Sequence, residues 1–371
     1  MALYKNIVKK ISVPADKKTK QKEYLPNGRL PIVDQGHELI GGYTEDLSKQ
    51  IDCQVPVMVF GDHTKCVKLI NFDFGAGADG IKIIQPKDDT LNIKYLYYAT
   101  KYLTLRIRDK GYARHYQFIE KQELNVPSLD EQQLIVARIE ELFSSLDNAV
   151  ETLQKTKEQL TVYRQAVLKE AFEKCPEHVS IESITHHVTD GDHMPPPKAD
   201  AGIPFIMISN IYGNVICWDN TAFVGKEYFE KIDSKRKPQK GDVLYTVTGS
   251  YGIPVLVDCN KDFCFQRHIA LLRPNETVTQ KYLYYSLMEP NVFSQATKGA
   301  TGTAQKTVGL GVLRKIKIPF IKGLTEQVKI VEEIEAKLSM CDSIEQTVNA
   351  ALAQAEAMRQ SILKEAFEGR L

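Results

Sequence analysis

The chain has 371 residues, 43% of them apolar and 26% charged, with 48 Lys and Arg against 47 Asp and Glu. At about 100–200 residues per domain this is globular material for two or three domains, and it excludes a mostly disordered chain. No apolar run approaches the ~18 residues needed to cross a bilayer, and the first ten residues lack the apolar centre of a signal peptide. The seven cysteines, at 53, 66, 175, 217, 259, 264 and 341, follow no disulfide or ligand spacing, so a cytoplasmic protein with no membrane contact is expected.

Residues 1–126 carry 20 basic against 15 acidic side chains. Short β-branched stretches at 54–60 and 81–84, bounded by Gly, Pro, Asn or Asp, predict strands, and an amphipathic helix is predicted around 92–108. Residues 127–173 are acidic, with 5 basic against 9 acidic residues. They hold no Pro or Gly beyond the opening Pro127, and they predict one long helix. Residues 174–318 return to a basic balance, 17 against 14, with strands predicted at 202–208, 242–247 and 269–272 and a helix around 279–290. Residues 319–371 are acidic again, 6 basic against 9 acidic, and predict a second long helix opened by Pro319 and Thr325.

The two helices are copies. Residues 131–173 align with 326–368 at a constant offset of 195, with 18 identities in 43 positions and the same ending, Leu-Lys-Glu-Ala-Phe-Glu. Ile139, Leu146, Leu153, Leu160 and Val167 recur every seven residues, and Ile334, Cys341, Val348, Ala355 and Ile362 fill the same slots. A companion row, three residues on, runs Leu142, Ala149, Thr156, Tyr163 and Lys337, Ile344, Ala351, Met358. Such a stripe is the mark of a long helix packed on another. At 1.5 Å per residue each helix is about 65 Å long, too long to hide in one lobe, and reads as a spacer.

The lobes echo each other more faintly. Lys94-Tyr-Leu-Tyr-Tyr98 returns as Lys281-Tyr-Leu-Tyr-Tyr285, Gly61-Asp62 as Gly241-Asp242, and Val126-Pro127 as Ile318-Pro319. The fold class expected is therefore α+β, with an internal pseudo-two-fold repeat. Two globular lobes with curved, mainly β sheets (1–126 and 174–318) are joined by two long antiparallel α-helices (127–173 and 319–371) forming a coiled coil. A duplicated lobe–helix unit suits double-stranded DNA, which has two-fold axes of its own. Because the lobes differ, the expected target is asymmetric and split, with an unread spacer.

The whole chain resembles the specificity subunit of Type I restriction-modification systems. The resemblance rests on the repeated helices with their Lys-Glu-Ala-Phe-Glu endings and on Phe60-Gly-Asp-His-Thr64, Asp190-Gly-Asp-His193, Gly202-Ile-Pro-Phe-Ile206 and Gly241-Asp-Val-Leu244. It implies that the lobes are target recognition domains and that the helices dock two copies of a modification subunit carrying the adenine methyltransferase, with restriction subunits recruited where the system has them. Tyr163, Phe172, Met358 and Phe367, flanking the stripe, are the candidates for that subunit interface. The resemblance places S-adenosylmethionine, and ATP with Mg where restriction occurs, in the partners and no cofactor in this chain. The first lobe departs from the pattern: near residue 15 it has no counterpart of Asp190-Gly-Asp-His193 and is Lys-rich instead.

Catalytic motifs are not found. Met194-Pro-Pro-Pro197 lacks the amide or acid and the aromatic of an adenine-gripping Asn/Asp-Pro-Pro-Tyr/Phe, and no P-loop or Gly-x-Ser-x-Gly elbow occurs. Phe74 to Gly80 reads as a turn. His186, His187 and His193 near Asp190 and Asp192 are not read as a metal site, because no cysteine stands at ligand spacing. A non-enzymatic chain is expected.

DNA readers need Lys and Arg for phosphates and amides, hydroxyls or guanidinium groups for base edges. In the first lobe the candidates are Lys18 and Lys20, Gln35 and His37, His63 and Lys65, then Arg106, Arg114, His115 and Tyr116. In the second they are His193 and Lys198, then Thr246, Thr248, Ser250 and Tyr251, then Gln266 and Arg267. The acid-free loop Lys298 to Lys306 adds Thr301, Thr303, Gln305 and Lys306, with two glycines that let backbone approach phosphate. Two other functions fit the same sequence: a coiled-coil interaction protein with protein- or glycan-binding lobes, and the recognition subunit of a methylation-only system.

Overall fold

The structure is a computed structural model. It describes residues 1–77, 80–108, 111, 113–193 and 196–371. The chain divides into two compact units, Met1–Gln154 with Asn349–Leu371, and Lys155–Val348.

In the first unit, strands β1 (Val8–Ile11), β2 (Lys18–Thr19), β3 (Leu30–Val33), β4 (Gly42–Thr44), β5 (Val57–Gly61), β6 (Val67–Ile70), β7 (Gly75–Gly77) and β8 (Ile81–Pro86) form two sheets. One is antiparallel in the order β1-β8-β5-β6; the other runs β2-β7-β3-β4, with β7 parallel to both neighbours. The strand expected from Gln54 begins only at Val57, because Pro56 has no N–H for the ladder. Helix α1 (Ile93–Leu105) is capped by Asn92, whose Oδ1 accepts the N–H groups of Lys94 and Tyr95. It lays Tyr95, Leu96, Ala99 and Leu103 on Met58, Phe60 and Ile84.

Helix α2 (Leu129–Glu173) starts in this unit and continues into the second. The second unit repeats the plan. Strands β9 (Thr185–Asp190), β10 (Ile203–Ile206), β11 (Ala222–Val224), β12 (Val243–Thr246), β13 (Pro254–Leu256), β14 (Cys264–Phe265) and β15 (Ile269–Pro274) make an antiparallel sheet in the order β9-β15-β12-β13 and a smaller one in the order β11-β10-β14. The antiparallel four-stranded sheets of the two units thus share one topology. Helix α3 (Gln280–Leu287), capped by Thr279, covers the first of them as α1 does in its own lobe. Helix α4 (Pro290–Gly299) follows, and α5 (Leu324–Phe367) runs from the second unit into the first.

The long helices pack antiparallel within each unit. In the first, Arg359 pairs with Asp147 and lies over the Phe143 ring. In the second, Arg164 bridges Asp342 at 2.8 Å and Glu345 at 2.9 Å, while Glu170 meets Lys337 at 3.1 Å. The first heptad row is buried at Ile139, Leu160, Val167, Ile334, Cys341, Val348 and Ala355. The companion row is a correction: Tyr163, Ile344 and Met358 stand exposed. The seam's second row lies four residues on instead, at Phe143, Val150, Arg164 and Ala171, and at Leu338, Glu345, Leu352 and Arg359. Arginines there bury their stems and pair their heads at the edge, which hides the row from an apolar count.

Candidate nucleic-acid interface

In the second unit, segments far apart in sequence converge. The turn between β14 and β15 carries Gln266, Arg267 and His268; its Gln266 N–H donates to the Ile206 carbonyl and Arg267 N–H to the Asp192 carbonyl. This backbone approach requires Gly191, where a Cβ would overlap the Phe265 carbonyl oxygen. His193 Nε2 sits 2.7 Å from Asp190 Oδ2, and Arg236 holds the other carboxylate oxygen at 3.3 Å. Arg236, outside the candidate set, thereby fixes the acid that orients His193.

The loop 301–307 is a small hairpin closed by reciprocal backbone bonds between Thr301 and Thr307 of 2.9 and 2.8 Å. Gly302 makes it with φ of +105°, where a side chain would strike the Gln305 carbonyl. The hairpin is tied to the turn after β12 by Gly249 N–H donating to the Lys306 carbonyl. Thr301, Thr303, Gln305 and Lys306 are all exposed on it.

Two clefts open between these segments. One of about 380 Å³ has apolar walls from Phe205, Met207, Phe223 and Val224, and polar groups from His193, Lys198, Gln266 and Arg267. The other, about 350 Å³, is lined by His193, Thr248, Arg267, His268, Gln305 and Thr307. His193, Arg267 and His268 belong to both. Burial, followed by the charge of Arg267, holds the His268 imidazole below its ordinary pKa, so it is neutral at pH 7. His268 is the contributor that the choice of candidates passed over.

Several candidates fail as contacts because they are buried. Thr246 is 0% exposed; its hydroxyl donates to the Ser250 carbonyl and accepts from Ile253 N–H, which builds the turn that exposes Ser250. Thr248 is buried beside Thr307, their hydroxyls 3.3 Å apart, and offers the cleft only an edge. Tyr251 is half-buried, stacked on Phe293 with its hydroxyl on Thr297. His115 and Tyr116 are likewise corrections. His115 is fully buried with Nδ1 donating to the Asp62 carbonyl at 3.0 Å, and Tyr116 packs on Phe60 with its N–H on the Asp62 carboxylate. They anchor the chain to Asp62 and leave Arg114 exposed beside them.

The remaining first-lobe candidates do not share one cleft. Gln35 is used internally: its amide oxygen accepts His63 N–H and its carbonyl accepts the Thr64 hydroxyl at 2.6 Å. His37 and Lys65, with Cys66, face a cleft of about 490 Å³ whose other wall is α1 and the end of α5. Arg106 lies over Tyr102 and borders Lys364 and Glu368. Lys18 pairs in β2 with Ala76, and Lys20 is exposed next to it. In the second lobe the matching parallel bridge joins Asp192 to Gln266. The Lys-rich stretch of lobe one therefore occupies the strand position that the Asp190 to His193 motif holds in lobe two. Met194, Pro195, Ala78, Asp79, Asp109, Lys110 and Tyr112, which fall in predicted loops, lie outside the described residues.

Of the expected interface residues, Phe172 is buried against Tyr282, and Phe367 stacks on Tyr102 and meets the Tyr95 ring. Both are corrections: they key helix ends into lobes. Tyr163 and Met358 are about half exposed, and Val162, Met340 and Ile344 are exposed apolar side chains of the second unit. Among the described residues no three His, Cys, Asp or Glu side chains gather as metal ligands, and no helix is long and apolar enough to cross a membrane.

A duplicated α+β lobe on paired helices, with basic and amide side chains gathered on loops, defines a nucleic-acid specificity protein. The chain belongs to the family described as the Type I restriction modification DNA specificity domain, whose pattern matches residues 8–162 and 194–354. It is 24% identical over 323 residues to the Type I restriction enzyme EcoBI specificity subunit of Escherichia coli, covering 78% of this chain and 68% of that one. It is 22% identical over 356 residues to the E. coli EcoR124I/EcoR124II specificity subunit, covering 91% and 86%. Against the EcoKI specificity subunit of E. coli strain K12 it is 26% identical over 66% of this chain, and spans 57% of that protein's length.

Among solved structures, a chain from a type I R-M system studied for complex assembly and conformational transition superposes with a TM-score of 0.70 at 17% identity, covering 98% of both chains. The HsdS subunit from Thermoanaerobacter tengcongensis gives 0.55 at 16%, covering all of this chain and 96% of that one. These two show the shared fold.

Proposed function

We propose that this chain is the non-catalytic DNA-recognition subunit of a Type I restriction-modification complex, in which each lobe reads one half of an asymmetric, split double-stranded target. The observation that carries this reading is the convergence of His193, Lys198, Gln266, Arg267 and Gln305 around two adjoining clefts of the second lobe. Arg267 is exposed on a turn held by backbone bonds, which suits a guanidinium that must meet a guanine edge with fixed geometry. Gln305, on a hairpin tip, suits adenine; Lys306 and Lys198 suit phosphates.

The exposed apolar side chains Val162, Tyr163, Met340 and Ile344 on the long helices support docking of modification subunits, two copies in the complex, with restriction subunits where the system includes them. In this reading S-adenosylmethionine binds the modification subunits, ATP and Mg serve any restriction subunit, and the complex works in the cytoplasm.

The test is binding of the assembled complex to duplex DNA across a salt series. A steep linear fall of log affinity with log salt is expected, and Lys306→Ala should flatten its slope by about one. Arg267→Ala should relax preference at one base position by about 1–3 kcal/mol. Affinity independent of salt, or Arg267→Ala with unaltered preference and affinity, would remove the basis of the proposal.

A further inference from the structure

The most regular feature shared by the two units lies away from the clefts, where lobe meets helix. Gln132 and Gln327, in the first turns of α2 and α5, are both fully buried. Gln132 Oε1 accepts Asn92 N–H at 2.8 Å, and its amide donates to the carbonyls of Thr90 and Pro127, both at 2.9 Å. Gln327 makes the same three bonds: it accepts Thr279 N–H at 2.8 Å and donates to the carbonyls of Thr277 and Ile321 at 2.9 and 3.0 Å. One amide thus binds three places at once: the start of the lobe's own helix, the loop before it and the chain entering the long helix.

Apolar packing alone does not need such an amide. A leucine or methionine would fill the space and allow several rotations of lobe against helix, because the hydrophobic effect is non-directional. An amide whose donors and acceptor are all used has one satisfied arrangement, and any rotation leaves a buried polar group unpaired. The joint is kept in both copies while the lobes' polar loops differ.

We propose that Gln132 and Gln327 are positioning residues that fix the orientation of each recognition lobe on its long helix and so set the length of unread DNA between the two half-sites. This rests on the recognition reading above. One base pair more or less of spacer moves a half-site by about 3.4 Å and turns it by about one tenth of a helical turn, so a rigid joint enforces a spacer that a loose one tolerates.

The experiment uses the complex with its modification subunits and duplexes carrying the split motif mapped for the wild type, with the native spacer and with one base pair added or removed. Methyl transfer is measured on each duplex, together with the melting temperature of each complex. Wild type should favour the native spacer. In Gln132→Met and in Gln327→Met that preference should fall about fivefold, the factor that one orienting hydrogen bond of ordinary net strength supplies, while base preference within each half-site is kept. Gln132→Asn, too short to reach all three partners, should act in the same sense and serves if the methionine variant does not fold. Variants that melt lower but keep the wild-type spacer preference would overturn the proposal and leave the glutamines as packing. A wild-type complex indifferent to spacer length would overturn the recognition reading and this inference with it.

Discussion

Replacing Asp242 by alanine isolates one buried ion pair at the centre of the second lobe. Its carboxylate is 3% exposed and accepts Arg273 Nε at 2.8 Å, an Arg273 terminal nitrogen at 2.7 Å and Gln239 N–H at 2.8 Å. Donating to Asp242 holds the guanidinium above its ordinary pKa, and Arg273 stays charged even when that partner is removed, because a guanidinium does not deprotonate in a protein. It would keep the Lys237 carbonyl, at 3.0 Å, and 18% side-chain exposure. Breaking a buried pair from one side costs about 3–5 kcal/mol, and this residual solvation argues for the lower end, about 3 kcal/mol. For a unit of this size that corresponds to a fall of about 6–12 °C in melting temperature. Calorimetry of the full chain in its complex reads it. The apolar double replacement, Asp242→Leu with Arg273→Met, should recover more than half of the loss, because no charge is left buried. A fall under about 2 °C for Asp242→Ala, or a double variant no better than the single one, would refute the reasoning.

Asp62, the counterpart in the first lobe, has Lys82 only at 3.7 Å and 39% exposed, so Asp62→Ala should cost less, about 1–2 kcal/mol, mainly through the lost bond to Tyr116 N–H. Thermal melting of the two variants side by side checks the order. Phe367→Ala, which removes a ring from between Tyr95 and Tyr102, should destabilise by about 3 kcal/mol. Tyr163→Asp, at a half-exposed position on α2, should leave the melting temperature within about 2 °C but weaken assembly with modification subunits on a sizing column. His187 and His268 both sit below their ordinary pKa, mainly through burial. The unfolded chain therefore takes up protons first as pH falls through about 6.5, and stability should drop below that pH. A double glutamine replacement at these positions should melt with less pH dependence between pH 7.5 and 5.5; an unaltered dependence would show that other groups set it.

The long helices were legible because their evidence is local and repeated: 18 identities at one offset and a seven-residue apolar row. The companion row misled because the seam spends two of its slots on Arg164 and Arg359, whose stems pack while their heads pair with acids of the facing helix. The Lys-Tyr-Leu-Tyr-Tyr repeats fell on α1 and α3, where Tyr95 and Tyr282 hydroxyls donate to the Asn125 and Pro319 carbonyls. Residue type gave the candidate loops but not their burial. His115 and Thr246 look like loop donors in sequence, and only contacts to Asp62, 53 residues away, or to the turn at Ser250 and Ile253 take them inside. The Arg236–Asp190 and Arg273–Asp242 pairs, 46 and 31 residues apart, leave no local periodicity to detect.

The most direct test of the central claim is methylation mapping. The chain is co-expressed with the adenine methyltransferase of its system, and the host DNA is sequenced for methyladenine with and without the chain. The account predicts a split, asymmetric motif present only when the chain is present, with one half altered and the other kept when residues 1–126 are replaced by another first lobe of the family. Methylation that persists unchanged without the chain, or a soluble complex that methylates no split motif, would contradict it.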